Sequence, residues 1–333
     1  MQGVVAVAEK PGVTPPRFVV PGQLCFVTGR AVGRMFRFVP QREVVRVFEY
    51  LFAVAAERFG MQIHEVLCMS NHFHVLMTDV EGRLPDFMGF FDSLLARSLN
   101  ALRGSSGSVF EKGYGRVEVT DEAKAVEHAV YTLANPCAAD LVRRSKHWPG
   151  FTTLRMAYGE ARRIERPKLG LWRRALLERH RKQRRNPKRA RHRGKKSVLP
   201  EVVELRLVRP PVFTELSDAQ LRADVLRRLD ARELELIAAR LQRGQEVLGA
   251  AKVIAQPWYG FPGRPEDMFA TNPGVSGRDK WARIEALGRR REFEAAHARA
   301  RACFLAGDRG VLWPAGTWLM RVRYGLPCEP APS

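Results

Sequence analysis

The 333-residue sequence predicts an α+β fold: an antiparallel sheet with helices on one face, then a basic linker and a mainly helical C-terminal region. Three observations predict it. Two long stretches repeat apolar residues at intervals of three and four, short strand-like runs flank them, and the order is strand, helix, strand, strand, helix, strand, helix.

Residues 24–29 (LCFVTG) read as the first strand and 29–40 as a basic loop. Within 41–60, Val44, Val47, Phe48, Leu51, Phe52, Ala55 and Phe59 form one helical face, and Gly60 terminates it. The strand candidates 62–68 and 71–78 are separated by Met69 and Ser70, with Ser70 and Asn71 supplying turn chemistry, so a hairpin is predicted. A second amphipathic helix spans 84–102, its stripe running from Leu84 through Phe91 to Leu102, and the GSSG of 104–107 ends it. Residues 109–119 give a loop and a short strand. Thr120 is then placed to cap a helix with Asp121 and Glu122 in its first turn, and Pro136 to close it. This order is the ferredoxin-like (RRM-like) split βαβ arrangement, which leaves one sheet face free to carry a site.

Composition narrows the partners. With 45% hydrophobic residues the chain has enough apolar side chains for a folded core, which excludes a disordered polar tract. Its net charge of +21 points to a polyanion, nucleic acid before an anionic membrane. Residues 162–196 hold 17 Lys or Arg against only Glu165 and Glu178, so most of the excess belongs to that tract. A long basic run of this kind is suited to lie on phosphates. No stretch reaches the roughly 18–20 apolar residues of a membrane span, and the first twenty residues are too interrupted for a signal peptide. The five cysteines (Cys25, Cys68, Cys137, Cys303, Cys328) form no zinc-ribbon spacing, so a cytoplasmic protein with reduced thiols and no membrane partner is expected. Beyond the basic tract, Ser217–Gln220 and Asp230–Glu233 look like capping boxes opening helices.

Two elements carry chemistry. In 71–78 (NHFHVLMT) the strand period of two sends His72, His74 and Leu76 to one face, and Phe73, Val75 and Met77 to the other. Two imidazoles at that spacing can converge on one divalent ion, although an HxH pair alone is as well explained by histidines that bind nothing. The absence of HxHxDH, HExxH and PCxxC sets three metal-enzyme patterns aside. In 123–136 (AKAVEHAVYTLANP), Lys124, Glu127, His128, Tyr131 and Asn135 form a polar stripe, and Tyr131 and Asn135, four apart, share a face.

Together MSNHFHVLM (69–77) and YTLANPCAADL (131–141) resemble the single-tyrosine HUH transposases, especially the REP-associated tyrosine transposases. Thr28 and Arg30 in FVTGR match that family's opening segment, and WPG (148–150) matches the end of its domain, so the resemblance covers about residues 20–150. Ser70 stands where the family usually has proline, Phe73 fills the middle of the triplet, and 110–116 departs from the family's Trp-Gln-Gly-Arg-like stretch. Residues 310–325 resemble tails of some bacterial members.

The resemblance implies a DNA transposase, a metal-dependent single-strand DNA endonuclease and strand transferase acting at hairpins or repeats through a 5′-phosphotyrosine. Tyr131 would be the nucleophile, while His72, His74 and Asn135 would hold Mg²⁺ or Mn²⁺. His128 and Lys124, one and two turns before Tyr131, are placed either to assist its deprotonation or to form a solvated helix face. Arg30 and the tract residues Arg181, Lys182, Arg184, Arg185, Lys188 and Arg189 would grip single-stranded, hairpin-forming DNA. A homodimer and a bacterial, nucleoid-associated location go with the resemblance. The domain expectation is a flexible lead (1–20), a nuclease domain (21–150), a basic DNA-contacting linker (151–210) and a helical region of unassigned role (211–333). The alternative is a noncatalytic nucleic-acid-binding protein or repressor of the same fold, which would present aromatics on its open sheet face.

Overall fold

The computed structural model describes residues 16–168, 199–263 and 274–330. The chain divides into two compact units, residues 21–284 and residues 1–20 with 285–333. The larger holds strands β1 (Gln23–Arg30), β2 (Met61–Cys68), β3 (His72–Asp79) and β4 (Gly115–Val119), with helices α1 (Arg42–Arg58), α2 (Leu84–Arg103) and α3 (Glu122–Ala138). The order β1, α1, β2, β3, α2, β4, α3 is the expected one. The strands lie side by side as β2-β3-β1-β4, antiparallel throughout, and a two-residue strand Val275–Ser276 (β7 below) extends the β4 edge in parallel.

Helices α1 and α2 are amphipathic and bury their stripes on one sheet face. Phe48 of α1 meets Phe91 of α2 edge to face at 5.3 Å between ring centres, and Phe73 of β3 meets both, at 5.7 and 5.5 Å. Such aromatic pairs add about 0.5–1.5 kcal/mol each beyond their burial. The alternation of β3 is thus as expected, with Phe73 under the helices and His74 on the reverse.

Gly29 of β1 stands opposite Phe73 in the β1–β3 register. A Cβ there would come 2.1 Å from the Phe73 ring, well inside contact distance. Gly29→Ala should therefore destabilise the protein by about 1–3 kcal/mol through overpacking, read as a lowered midpoint in chemical denaturation. An unchanged midpoint would show that the ring can move aside.

The reverse face differs from expectation in one respect: it is not open. Helix α3 packs over β2 and β3 there. Its bounds also differ from the sequence reading. Asp121, rather than Thr120, is the N-cap, its carboxylate accepting from the Lys124 N–H at 2.8 Å. Pro136 lies inside the helix, which continues to Ala138. In the last turn a proline forfeits a single backbone bond, and the free end is held from outside, where Arg240 donates to the Cys137 carbonyl at 2.7 Å.

The stretch expected as linker, 151–210, contains two strands. β5 (Ala161–Glu165) and β6 (Val202–Arg206) pair antiparallel on either side of residues 169–198. Val203, Leu205 and Leu207 are buried, β6 packs on α1, and the Val208 N–H donates to the Ile63 carbonyl of β2 at 2.8 Å. Helix α4 (Asp218–Gln242) opens with the expected capping box at Ser217 and Gln220 and packs along α3. The second anticipated box, at Asp230, falls inside this helix, whose 25 residues run through it. A short α5 (Ala250–Ala255) precedes β7, and α6 (Lys280–Leu305) follows it.

Two buried ionic contacts tie α4 to the sheet and α3. Glu65 of β2, with no exposed surface, pairs with Arg222 and also accepts from Thr153 at 2.7 Å and Tyr158 at 3.2 Å. Arg240 pairs with Asp140 at 2.6 Å. In the smaller unit, the buried Trp313 ring meets His297 and Phe304, and Phe18 meets Phe293 at 4.9 Å. Among the described residues no helix is long and apolar enough to cross a membrane.

Candidate active site

The two histidines reach one face because both stand on β3 two residues apart, and the sheet holds them against β1. In that register Thr28 is opposite His74 and Arg30 is opposite His72. The imidazole centres are 4.7 Å apart. Tyr131 of α3 comes down on the same spot, its ring 5.3 Å from that of His74, and Tyr131 itself is 51% exposed. Asn135, one turn further along α3, has its side chain in hydrogen-bonding reach of His72. His72, His74, Tyr131 and Asn135 are therefore together.

Neighbours fix the imidazoles. Nδ1 of His72 lies 2.7 Å from the Asn71 side-chain oxygen, and an oxygen that only accepts places the proton on Nδ1. Nδ1 of His74 lies 3.0 Å from the Thr28 hydroxyl. The Thr28 hydroxyl can donate or accept, so the His74 contact is compatible with either tautomer. His74 Nε2 is buried and has no hydrogen-bond partner among the described residues, a position that costs about 1–3 kcal/mol for an unmet polar group. Burial above all, then the charges of Arg30 and Arg34, pulls His72 down to about 4. His74 is pulled well below the ordinary range, again chiefly by burial. Both rings are neutral at pH 7, the form that binds metal.

This donor set fits a divalent cation as two imidazole nitrogens and an amide oxygen. Among the described residues no group of three or more His, Cys, Asp or Glu side chains is arranged to hold a metal.

Of the other expected residues, Arg30 is exposed at the end of β1 beside His72. Lys124 pairs with Glu127, which also pairs with Arg278. His128 stacks on Phe26 at 4.5 Å, with Nε2 3.0 Å from the Ser276 hydroxyl; burial pulls it down to about 4. The contacts of Lys124 and His128 are thus with Glu127, Phe26 and Ser276. Arg181, Lys182, Arg184, Arg185, Lys188 and Arg189 lie outside the described residues.

Three residues at the site were given no role there by the sequence reading. Phe26 of β1 is 93% buried and touches His74, His128 and Tyr131 at 5.2, 4.5 and 5.9 Å, forming the floor on which all three rings sit. Asn71 and Thr28 orient the imidazoles. The period of two on β1, which places Phe26, Thr28 and Arg30 on one face, was the signal available for them.

No protein-family model matches the sequence, and a comparison with curated proteins finds no match. Solved structures similar to this chain include a REP-associated tyrosine transposase bound to a REP hairpin, at 13% identity and a TM-score of 0.35, covering 43% of this chain and 82% of that one. Another is a proposed transposase from Deinococcus radiodurans, at 16% identity and a TM-score of 0.26, covering 34% of this chain and 91% of that one.

Proposed function

We propose that this protein is a DNA transposase, a metal-dependent single-strand endonuclease and strand transferase that cuts hairpin or repeat DNA with Tyr131 as nucleophile. The observation that carries the reading is the convergence of an exposed tyrosine on a pair of neutral histidines, one of which has a buried ring nitrogen without a hydrogen-bond partner among the described residues. His72, His74 and Asn135 would hold the cation, and with two nitrogen donors of three the set suits Mn²⁺ better than Mg²⁺. When bound, the ion supplies Lewis-acid stabilisation of charge building on the scissile phosphate.

The chain's own residues do the rest. Tyr131, exposed on α3, offers its phenolic oxygen to the phosphorus in line with the departing 3′ oxygen. The phenol gives up its proton to solvent as the Tyr131 O–P bond forms and the P–O3′ bond breaks, and the released 3′ oxygen takes up a proton. A 3′-hydroxyl of another strand reverses the exchange, so no bond energy is lost and no nucleotide cofactor is needed. Arg30, beside His72, adds positive charge where the phosphate would lie.

The test uses 5′- and 3′-labelled hairpin DNA with Mn²⁺. The full chain is expected to yield a denaturant-resistant protein–DNA adduct that Tyr131→Phe cannot form. Cleavage by Tyr131→Phe at the wild-type rate, or no adduct with any hairpin in a random-stem library, would sink the reading. A noncatalytic module would present open aromatics on the sheet, whereas Phe26 is covered by His128 and Tyr131.

A further inference from the structure

Outside the region of family resemblance, the segment Gln256–Gly263 (QPWYGFPG) puts three aromatic residues into one turn. Trp258 is half-buried, but Tyr259 and Phe261 are 62% and 60% exposed. Two large rings held this far into water are unexplained by packing.

The segment is anchored firmly from beneath. The guanidinium carbons of Arg37 and Arg103 lie 4.6 and 5.1 Å from the Trp258 ring centre. The Phe36 N–H donates to the Gly260 carbonyl at 2.9 Å, and Arg103 donates to the Arg37 carbonyl at 2.7 Å. Neither arginine is paired with a carboxylate among the described residues, and Nε and Nη1 of Arg37 and Nη1 of Arg103 are buried without hydrogen-bond partners. Arg37 is 91% buried. Burial, then the charge of Arg37, pulls Arg103 down to about 10. A buried cation beside a half-buried one, both with unmet N–H groups, is costly unless an anion answers them.

The turn also borders the candidate active site. Ser70 bonds Gln256 at 3.5 Å, and Asn71, which orients His72, donates to the Arg34 carbonyl at 3.4 Å. Phe261 lies against Gly33, where a Cβ would sit 3.9 Å from its ring. Arg34 itself has φ of 58°, a strained value for a residue with a side chain.

We propose that Tyr259 and Phe261, backed by Trp258 on Arg37 and Arg103, form a base-stacking platform for unpaired DNA nucleotides beside the His72/His74 site. Aromatic faces over a cationic base are the recurrent means of gripping single strands without reading their sequence, whereas paired bases keep their faces in the stack. The proposal rests on the DNA-cleaving reading for its choice of ligand, but its test needs neither metal nor catalysis.

The experiment measures fluorescence anisotropy of a labelled oligo-dT strand and of a blunt duplex with the full chain in EDTA at fixed salt. Tyr259→Ala/Phe261→Ala is expected to weaken oligo-dT binding at least ~10-fold, the effect of losing one or two stacked bases, while duplex binding stays within about two-fold. Because both side chains are largely exposed, the fold should survive; Tyr259→Phe/Phe261→Tyr, which keeps both rings, should bind as wild type. Unchanged oligo-dT affinity, or an equal loss on duplex, would overturn the platform. Adduct formation through Tyr131 is scored on the same preparations. A chain that grips oligo-dT through these rings yet forms no adduct keeps the platform and loses the catalytic reading. One that forms the adduct while its double variant binds unchanged loses the platform alone.

Discussion

His74→Leu should eliminate Mn²⁺-dependent strand cleavage while leaving the protein as stable as before. Metal stabilisation of a phosphoryl transition state is worth several kcal/mol, so a loss of at least ~10³-fold in rate is expected. Most buried polar groups cannot be replaced so cheaply. His74 is different because its Nε2 has no hydrogen-bond partner, and leucine of similar size removes that unmet group at the loss of one bond to Thr28. Calorimetric titration with Mn²⁺ and a thermal melt on the same sample separate the two effects. Retained cleavage would remove His74 from the metal site, and collapse of the fold would show it to be structural.

The second large effect is on stability. Arg222→Met should cost about 3–5 kcal/mol, because it leaves the Glu65 carboxylate buried without its cation. Arg222 also donates to the carbonyls of Thr153 and Leu154 at 2.9 and 2.8 Å, and both would lose a donor. Even in the wild type, burial pushes Glu65 up, with Arg222, Thr153 and Tyr158 pulling it back. Removing Arg222 raises it further, so the folded variant binds a proton that the unfolded chain releases above about 4.5. Stability therefore falls as pH rises from about 4.5 through the raised folded value and is regained on acidification. A denaturation series from pH 4.5 to 8 should show a steeper decline for Arg222→Met than for wild type. Glu65→Leu/Arg222→Met should recover much of the loss; parallel pH curves for the single variant and wild type would refute the account.

How much of this was legible in the sequence depends on what fills each buried face. α1 and α2 were readable because Val44, Phe48, Phe52 and Phe87, Phe91, Leu95 are apolar at helical spacing and buried on that account. Strand and helix periods put His72 beside His74 and Tyr131 beside Asn135, but only the family resemblance joined the two pairs into one site. The covering of the sheet's second face was not readable. On α4 the buried positions include Arg222, Glu233 and Arg240 alongside Leu221, Val225 and Leu229, so charge partners replace part of the apolar stripe and the periodic signal fades. β5 and β6 were hidden in the same way, since their arginines and glutamates read as linker while their pairing partners lie some forty residues off. Pro136 misled because the support for the last turn of α3 comes from Arg240, a hundred residues later.

That support changes what counts as a separable piece of this chain. Glu65 and Asp140 sit within the stretch that carries the family resemblance, yet their cations, Arg222 and Arg240, arrive from α4. Glu233 of α4 likewise receives the Ser145 N–H at 2.6 Å and the Arg144 guanidinium at 3.2 Å. A chain ended at residue 150 would keep every atom of the candidate site but would hold Glu65 as an uncompensated charge beneath the helix that carries Tyr131. The position of Tyr131 over the histidines is thus set from residues some ninety positions later, and the shortest stably folded form should extend through α4.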